Sequence, residues 1–246
     1  MKQIIIILLF YATMGNCFTL NSSTDPNLKG WSNSNVKIYL NPVNCPSNID
    51  VAAIIKDAVE VWNKVPNSAI QVSYGGETSL SLMSDPTVAY CETNFQALLG
   101  ANQDYVPGGA AVNGSSGRIT QGILYLNAST GLANIGNFNR TKLKIILAHE
   151  IGHLLGLGHS SNESALMYYD ASSKQEFRLS QDDIDGVTYL YPDSNLEMKD
   201  LAGCALIQRS TPSNNKVHLV LIGIMLLPLL LALFLKNQKK LKCLEF

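Results

Sequence analysis

Charge and histidine are both scarce in this sequence. Only 15% of the 246 residues are charged and the formal net charge is −1. That balance offers no basic face to a nucleic-acid backbone, and nucleic-acid binding is excluded as an expectation. Histidine occurs four times, at positions 149, 153, 159 and 218. From Tyr105 through His149 there is no Asp or Glu. That stretch therefore has no carboxylate oxygen with which to hold calcium. There is no internal repeat, and no sortase-type motif precedes the apolar C-terminal run.

Both chain ends raise the hydrophobic content to 46%. Lys2, an apolar run from Ile4 to Ala12 and small or polar residues up to Cys17 have the layout of a secretory signal peptide, residues 1–17. Cleavage is expected between Gly15 and Phe18. Cys17 as a lipidated residue is the alternative, and Asn16 before it fits poorly. Near the other end, Val217 to Leu235 just reaches the length of a transmembrane helix. It is followed by Lys236, Lys239, Lys240 and Lys242, which favour a cytoplasmic tail over residues 236–246. His218 sits at the membrane edge. Residues 193–216 lose periodicity and read as a stalk. The expected organisation is thus a domain over 18–192, outside the cytoplasm and anchored by one C-terminal span. A sorting signal removed during export is the other reading of the tail.

Cys45, Cys91 and Cys204 would face an oxidising compartment, and their number leaves one unpaired. Cys45 and Cys91 both lie within the domain and are the expected disulfide. Cys204 in the stalk is a candidate contact between otherwise monomeric chains, or a lipidated residue. Five N-x-S/T triplets begin at Asn21, Asn113, Asn127, Asn139 and Asn162; several arise by chance in an Asn- and Ser-rich chain, so they say little about glycosylation.

Alternation at Val36, Ile38 and Leu40 predicts a strand over 35–40. A helix from Asn48 to about Val65 carries Val51, Ile54, Ile55, Ala58, Val61 and Trp62 on one side. Ala69 to Tyr74 reads as a second strand ended by Gly75-Gly76, and Ser79 to Met83 as a third. Asp85 to Pro107 reads as irregular. Gly109–Val112 and Gly122–Leu126 form two more strands around a Gly/Ser turn. Asn139 or Thr141 opens a helix ending near Leu155, and Ser180 caps a last helix over 181–190, with Asp182 and Asp183 in its first turn.

The chemistry is concentrated in His149-Glu150-Ile151-Gly152-His153-Leu154-Leu155-Gly156-Leu157-Gly158-His159. Residues i and i+4 share a helix face, so His149 and His153 can aim at one ion. Gly156 accepts a left-handed conformation, which turns the chain so that His159 supplies a third nitrogen. Three protein ligands leave a position for water, as in catalytic zinc sites. Glu150, beside the ligands, can reach a zinc-activated water, take its proton and pass it to a leaving amine.

These residues resemble the metzincin peptidases, and most closely their matrixin (matrix metalloprotease-like) branch. Ser160 follows the third histidine. Ser164-Ala165-Leu166-Met167-Tyr168 resembles the family's Met-turn, with Met167 beneath the zinc. Phe177 to Val187 and Leu190-Tyr191 resemble its C-terminal helix. The resemblance spans about Trp31 to Pro192. It implies an α+β domain with a twisted, mainly parallel sheet, three helices and a zinc cleft. It also implies internal peptide-bond hydrolysis, with substrate extended along an edge strand at Gly109–Val112; the signal-like start and basic-flanked tail make the expected substrates extracytoplasmic proteins.

Three departures qualify what the resemblance implies. No prodomain or cysteine-switch motif fits before Val36. The missing acids and histidines before His149 predict a single zinc and no indicated calcium, with carbonyl- and Asn-bound calcium as the remaining alternative. Tyr169 stands two after Met167, where matrixins usually have Pro. It is a candidate zinc-reaching or oxyanion-donating Tyr, or a pocket wall. The rival functional class is a zinc-binding surface adhesin or pseudoprotease, against which an intact Glu150 argues.

Overall fold

The structure is a computed structural model that describes residues 18–21, 29–80 and 87–194. The predicted signal peptide, most of the stalk, Cys204, the apolar run at 217–235 and the basic tail lie outside the described residues. Among the described residues no helix is long and apolar enough to cross a membrane.

One five-stranded sheet organises the domain, in the order β2-β1-β3-β5-β4. Its strands are β1 Asn35–Asn41, β2 Gln71–Glu77, β3 Thr87–Glu92, β4 Gly108–Ser115 and β5 Arg118–Asn127. The pairings β1–β2, β1–β3 and β3–β5 are parallel. β4 runs antiparallel to β5 and forms one edge. Among the described residues four α-helices accompany the sheet: α1 Val51–Asn63, α2 Phe95–Leu99, α3 Arg140–Leu154 and α4 Gln181–Leu190. This is the mainly parallel α+β domain expected, with one short helix more than the three foreseen.

The stretch read as irregular holds the central strand. β3 sits in the middle of the sheet and is buried at Thr87, Val88, Ala89 and Cys91. A parallel strand covered on both faces is continuously apolar and shows no alternation. α2 follows it directly. The third strand is therefore β3. Ser79 and Leu80 lie outside any strand, and residues 81–83 lie outside the described residues. Gly75-Gly76 does not end β2 either. The strand continues to Glu77, and the pairing with β1 shifts register at Ile38/Tyr39. A Cβ at Gly75 would lie 2.7 Å from the Tyr39 ring, so the glycines make room for the irregularity.

Helix α1 starts later than expected, at Val51, because the Asp50 side chain accepts from Ala53 N–H and caps it. It packs on α3, and its fully buried Trp62 donates from Nε1 to Ala148 O at 3.0 Å. α3 is buried nearly all round, at ten of its residues from Leu143 to Leu154. A helix enclosed on all sides has no polar stripe to tolerate motion or misplacement. It is a rigid base for the groups it carries. A disulfide joins Cys45, in the turn after β1, to Cys91 on β3.

Candidate metal centre and active site

α3 carries His149, Glu150 and His153, and its end determines where His159 goes. Gly156 has φ +101°, Leu157 N–H donates to Gly152 O and Gly156 N–H to His153 O, both at 3.0 Å. That paired closure around a left-handed residue is the Schellman motif. It reverses the chain and brings His159 back over the helix. A segment that the sequence marked only as following signal cleavage holds this turn from outside. Asn21 N–H donates to Gly156 O and Gly158 N–H to Thr19 O, each at 2.8 Å, and Thr19 Oγ1 donates to His159 O at 2.6 Å.

The three imidazoles converge. One ring nitrogen from each of His149, His153 and His159 lies within 4.8 Å of the others, and the Nε2 atoms of His153 and His159 are 3.2 Å apart. His149 is buried, His153 half-buried and His159 exposed. His149 Nδ1 is 2.8 Å from Leu166 O, and His153 Nδ1 is 2.8 Å from Leu157 O. A carbonyl can only accept, so in both rings Nδ1 carries the proton and the Nε2 lone pair is free for a ligand bond. Burial lowers the pKa of His149 to about 3 and of His153 to about 4, and also lowers that of His159. The rings are therefore neutral at physiological pH. Three neutral imidazoles whose ring nitrogens converge match the donor set of a zinc site.

Glu150 is buried beside them, and burial raises its pKa to about 8. No cationic side chain pairs with it among the ion pairs of the described residues. A divalent cation at the imidazoles is the counter-charge that would favour its ionised form. A Cβ at Gly108, the first residue of β4, would lie 3.3 Å from Glu150 Cγ, so the edge strand starts directly over the carboxyl. A cleft of about 340 Å³ runs between β4 and the segment Tyr169–Ser172 and is lined by Gly108, Ile146, Glu150 and all three histidines.

Met167 lies under the helix. A Cβ at Gly152 would fall 2.3 Å from Met167 Sδ and 2.9 Å from the Trp62 ring, so α3 seats itself directly on the Met. Tyr169 lines the cleft, is 67% exposed and pairs with Tyr168 at 4.4 Å between ring centres. Among the histidines, cysteines and carboxylates of the described residues, His149, His153 and His159 form the group that could hold a metal ion.

Sequence reading missed the role of Asp183. It was assigned to the helix dipole, and it does complete a capping box with Ser180. Its buried carboxylate also accepts from Leu166 N–H at 2.7 Å and Met167 N–H at 2.9 Å. The Ser180-x-x-Asp183 spacing announced the cap, whereas the Met-turn contact is tertiary and left no local signal.

Fold and site together define the class: an α+β domain whose zinc-type centre is built from one helix and the turn that ends it. The family model for matrixins matches residues 30–192, and the chain belongs to the matrixin family. It is similar to matrix metalloproteinase-27 of Tupaia belangeri, 29% identical over 168 residues, covering 67% of this chain and 31% of that protein. It is also similar to stromelysin-1 of Rattus norvegicus, 54% identical over 54 residues, covering 21% of this chain and 11% of that protein. Metalloendoproteinase 1-MMP of Arabidopsis thaliana is 42% identical over 96 residues, covering 38% and 26% respectively. The chain thus spans about a third of the length of the first of these relatives.

Proposed function

We propose that the chain is a zinc-dependent endopeptidase that cleaves internal peptide bonds of extracytoplasmic proteins. The observation that carries this reading is the convergence of three neutral imidazoles beside a buried carboxyl, in a cleft open along a sheet edge. His149, His153 and His159 would hold one zinc ion. When bound, that ion supplies Lewis-acid polarisation of water and of the scissile carbonyl. Glu150 is the general base: it takes the proton of the attacking water and delivers it to the departing amine. Gly108 to Val112 pairs on one side with β5. Its other edge is available to an extended peptide by strand addition, which would draw the scissile bond past Glu150. Tyr169, at the opposite lip, is positioned as a wall that a substrate would contact.

The signal-like start and the apolar, basic-flanked end further support a secreted domain tethered to a membrane, acting on proteins outside the cytoplasm. Incubating the purified domain with a mixed peptide library and sequencing fragment ends tests the catalytic reading. Internal cleavage that a chelator abolishes and zinc restores is the expected result. An absence of cleavage with zinc fully bound would favour the binding-only alternative.

A further inference from the structure

The metal-bearing face of α3 extends further than the histidines. Lys142, Ile146, His149 and His153 fall at i, i+4, i+7 and i+11, one continuous stripe at 3.6 residues per turn. Two of the four bear imidazoles, and Ile146 lines the cleft between them and the helix start. Lys142, one turn before Ile146, reaches out of the helix to the opposite wall. Its ammonium donates to Ser172 O at 2.6 Å and to Lys174 O at 2.5 Å.

Those carbonyls belong to the 3₁₀ turn Ala171–Ser173 and the residue that follows it. The turn is closed at its start by Asp170, whose carboxylate accepts from Ser173 N–H and Ser172 Oγ. At its end, where the carbonyls point away without intrahelical partners, the cation of Lys142 takes them. A positive charge at the carbonyl end of a turn is the favourable polarity. Ala171 and Ser172 line the cleft with Ile146, His149 and Glu150. The wall that faces Glu150 is thus tied to the helix that carries Glu150 by one side chain.

We propose that Lys142 is a specificity-determining positioning residue: it pins the Ala171–Ser173 turn to α3 and so fixes the width of the side-chain pocket formed by Ile146, Ala171 and Ser172 beside Glu150. The proposal rests on the peptidase reading for its consequence, though the latch itself does not. An unpinned wall swings away, and the pocket admits larger side chains. A pocket discriminates side chains by roughly tenfold or more per misfitted group, so a shift in width is read as a change in ratio and not in overall rate.

The test compares the wild type with Lys142→Met and Lys142→Arg on peptides that differ only at the subsite the pocket fills. Lys142→Met is expected to shift the kcat/KM ratio of a Trp peptide to a Leu peptide by at least about fivefold towards Trp. It should leave an Ala peptide within about twofold, and Lys142→Arg should restore the ratio. An unchanged ratio, or an equal loss on all peptides, overturns the proposal. Hydrogen exchange supplies a readout independent of activity. The Ser173 and Lys174 amides should exchange roughly tenfold faster in Lys142→Met, with α1 amides unchanged, and unaltered exchange rejects the latch. If the wild type cleaves nothing, the peptidase reading fails and the exchange result still decides the latch. Should Lys142→Met not fold, Lys142→Gln, with one amide donor group in place of the cation, carries the same comparisons.

Discussion

His149 and Leu166, seventeen residues apart, are joined by a 2.8 Å hydrogen bond from the imidazole Nδ1 to the backbone carbonyl. The same Leu166 gives its N–H to the carboxylate of Asp183. A carboxylate on the last helix thereby holds the segment that orients the first histidine.

Replacing Asp183 by Ala should consequently damage both stability and the metal site. Leu166 and Met167 N–H groups would be left buried without partners, at about 1–3 kcal/mol each. The expected loss is roughly 3 kcal/mol, or about 10 °C in Tm. Zinc affinity should fall by about tenfold or more, as for groups that orient metal ligands. Calorimetry and a zinc competition titration measure the two effects, and a loss of stability with unchanged zinc affinity would break the proposed chain of contacts.

Gly152→Ala tests the seating of α3 on Met167. The added methyl has to displace a sulfur 2.3 Å away and the Trp62 ring at 2.9 Å. Met can bend aside, but Trp62 is tied to Ala148 O by its own hydrogen bond. Overpacking of this kind costs about 1–3 kcal/mol. Denaturant titration should show that loss, and a neutral result would mean that the helix is not seated so closely.

Much of this was legible in the sequence, and the division follows distance along the chain. The histidines, the Gly156 turn and the Ser180 cap are local: each depends on residues within about ten positions of one another, and helix periodicity or cap chemistry announces them. β3 was missed because a strand buried on both faces has no alternation. The Met-turn contact of Asp183, the Thr19 hold on His159 and the Lys142 latch were missed because each joins segments whose meeting only the fold arranges.

The metal-free domain should be most stable near neutral pH. His149 and His153 titrate at about 3 and 4 when folded, against about 6.5 unfolded. Their contribution is present above pH 6.5 and is lost as pH falls towards 4 and then 3. Glu150 titrates at about 8 when folded against 4.5. Its contribution is full below pH 4.5 and is lost as pH rises through 8. Each group supplies up to about 1.4 kcal/mol per pH unit inside its window. Melting the metal-free protein from pH 4 to 9 checks this, and Glu150→Gln should remove the alkaline decline. A decline of equal size in the variant would assign it to other groups.

The Cys45–Cys91 disulfide closes a loop with a sequence separation of 46. It should contribute roughly 2–4 kcal/mol, chiefly by restricting the unfolded chain. The Cys45→Ala/Cys91→Ala double variant should melt correspondingly lower yet keep its zinc, since neither sulfur is among the metal-binding cluster. Loss of the metal along with the disulfide would contradict this separation of roles.

The most direct measurement is peptide cleavage by Glu150→Gln with its zinc content determined on the same sample. The proposed mechanism predicts one zinc per chain retained, with kcat/KM reduced by about 10²–10⁴-fold relative to wild type. Unimpaired cleavage with zinc in place would contradict the assignment of Glu150 as the base.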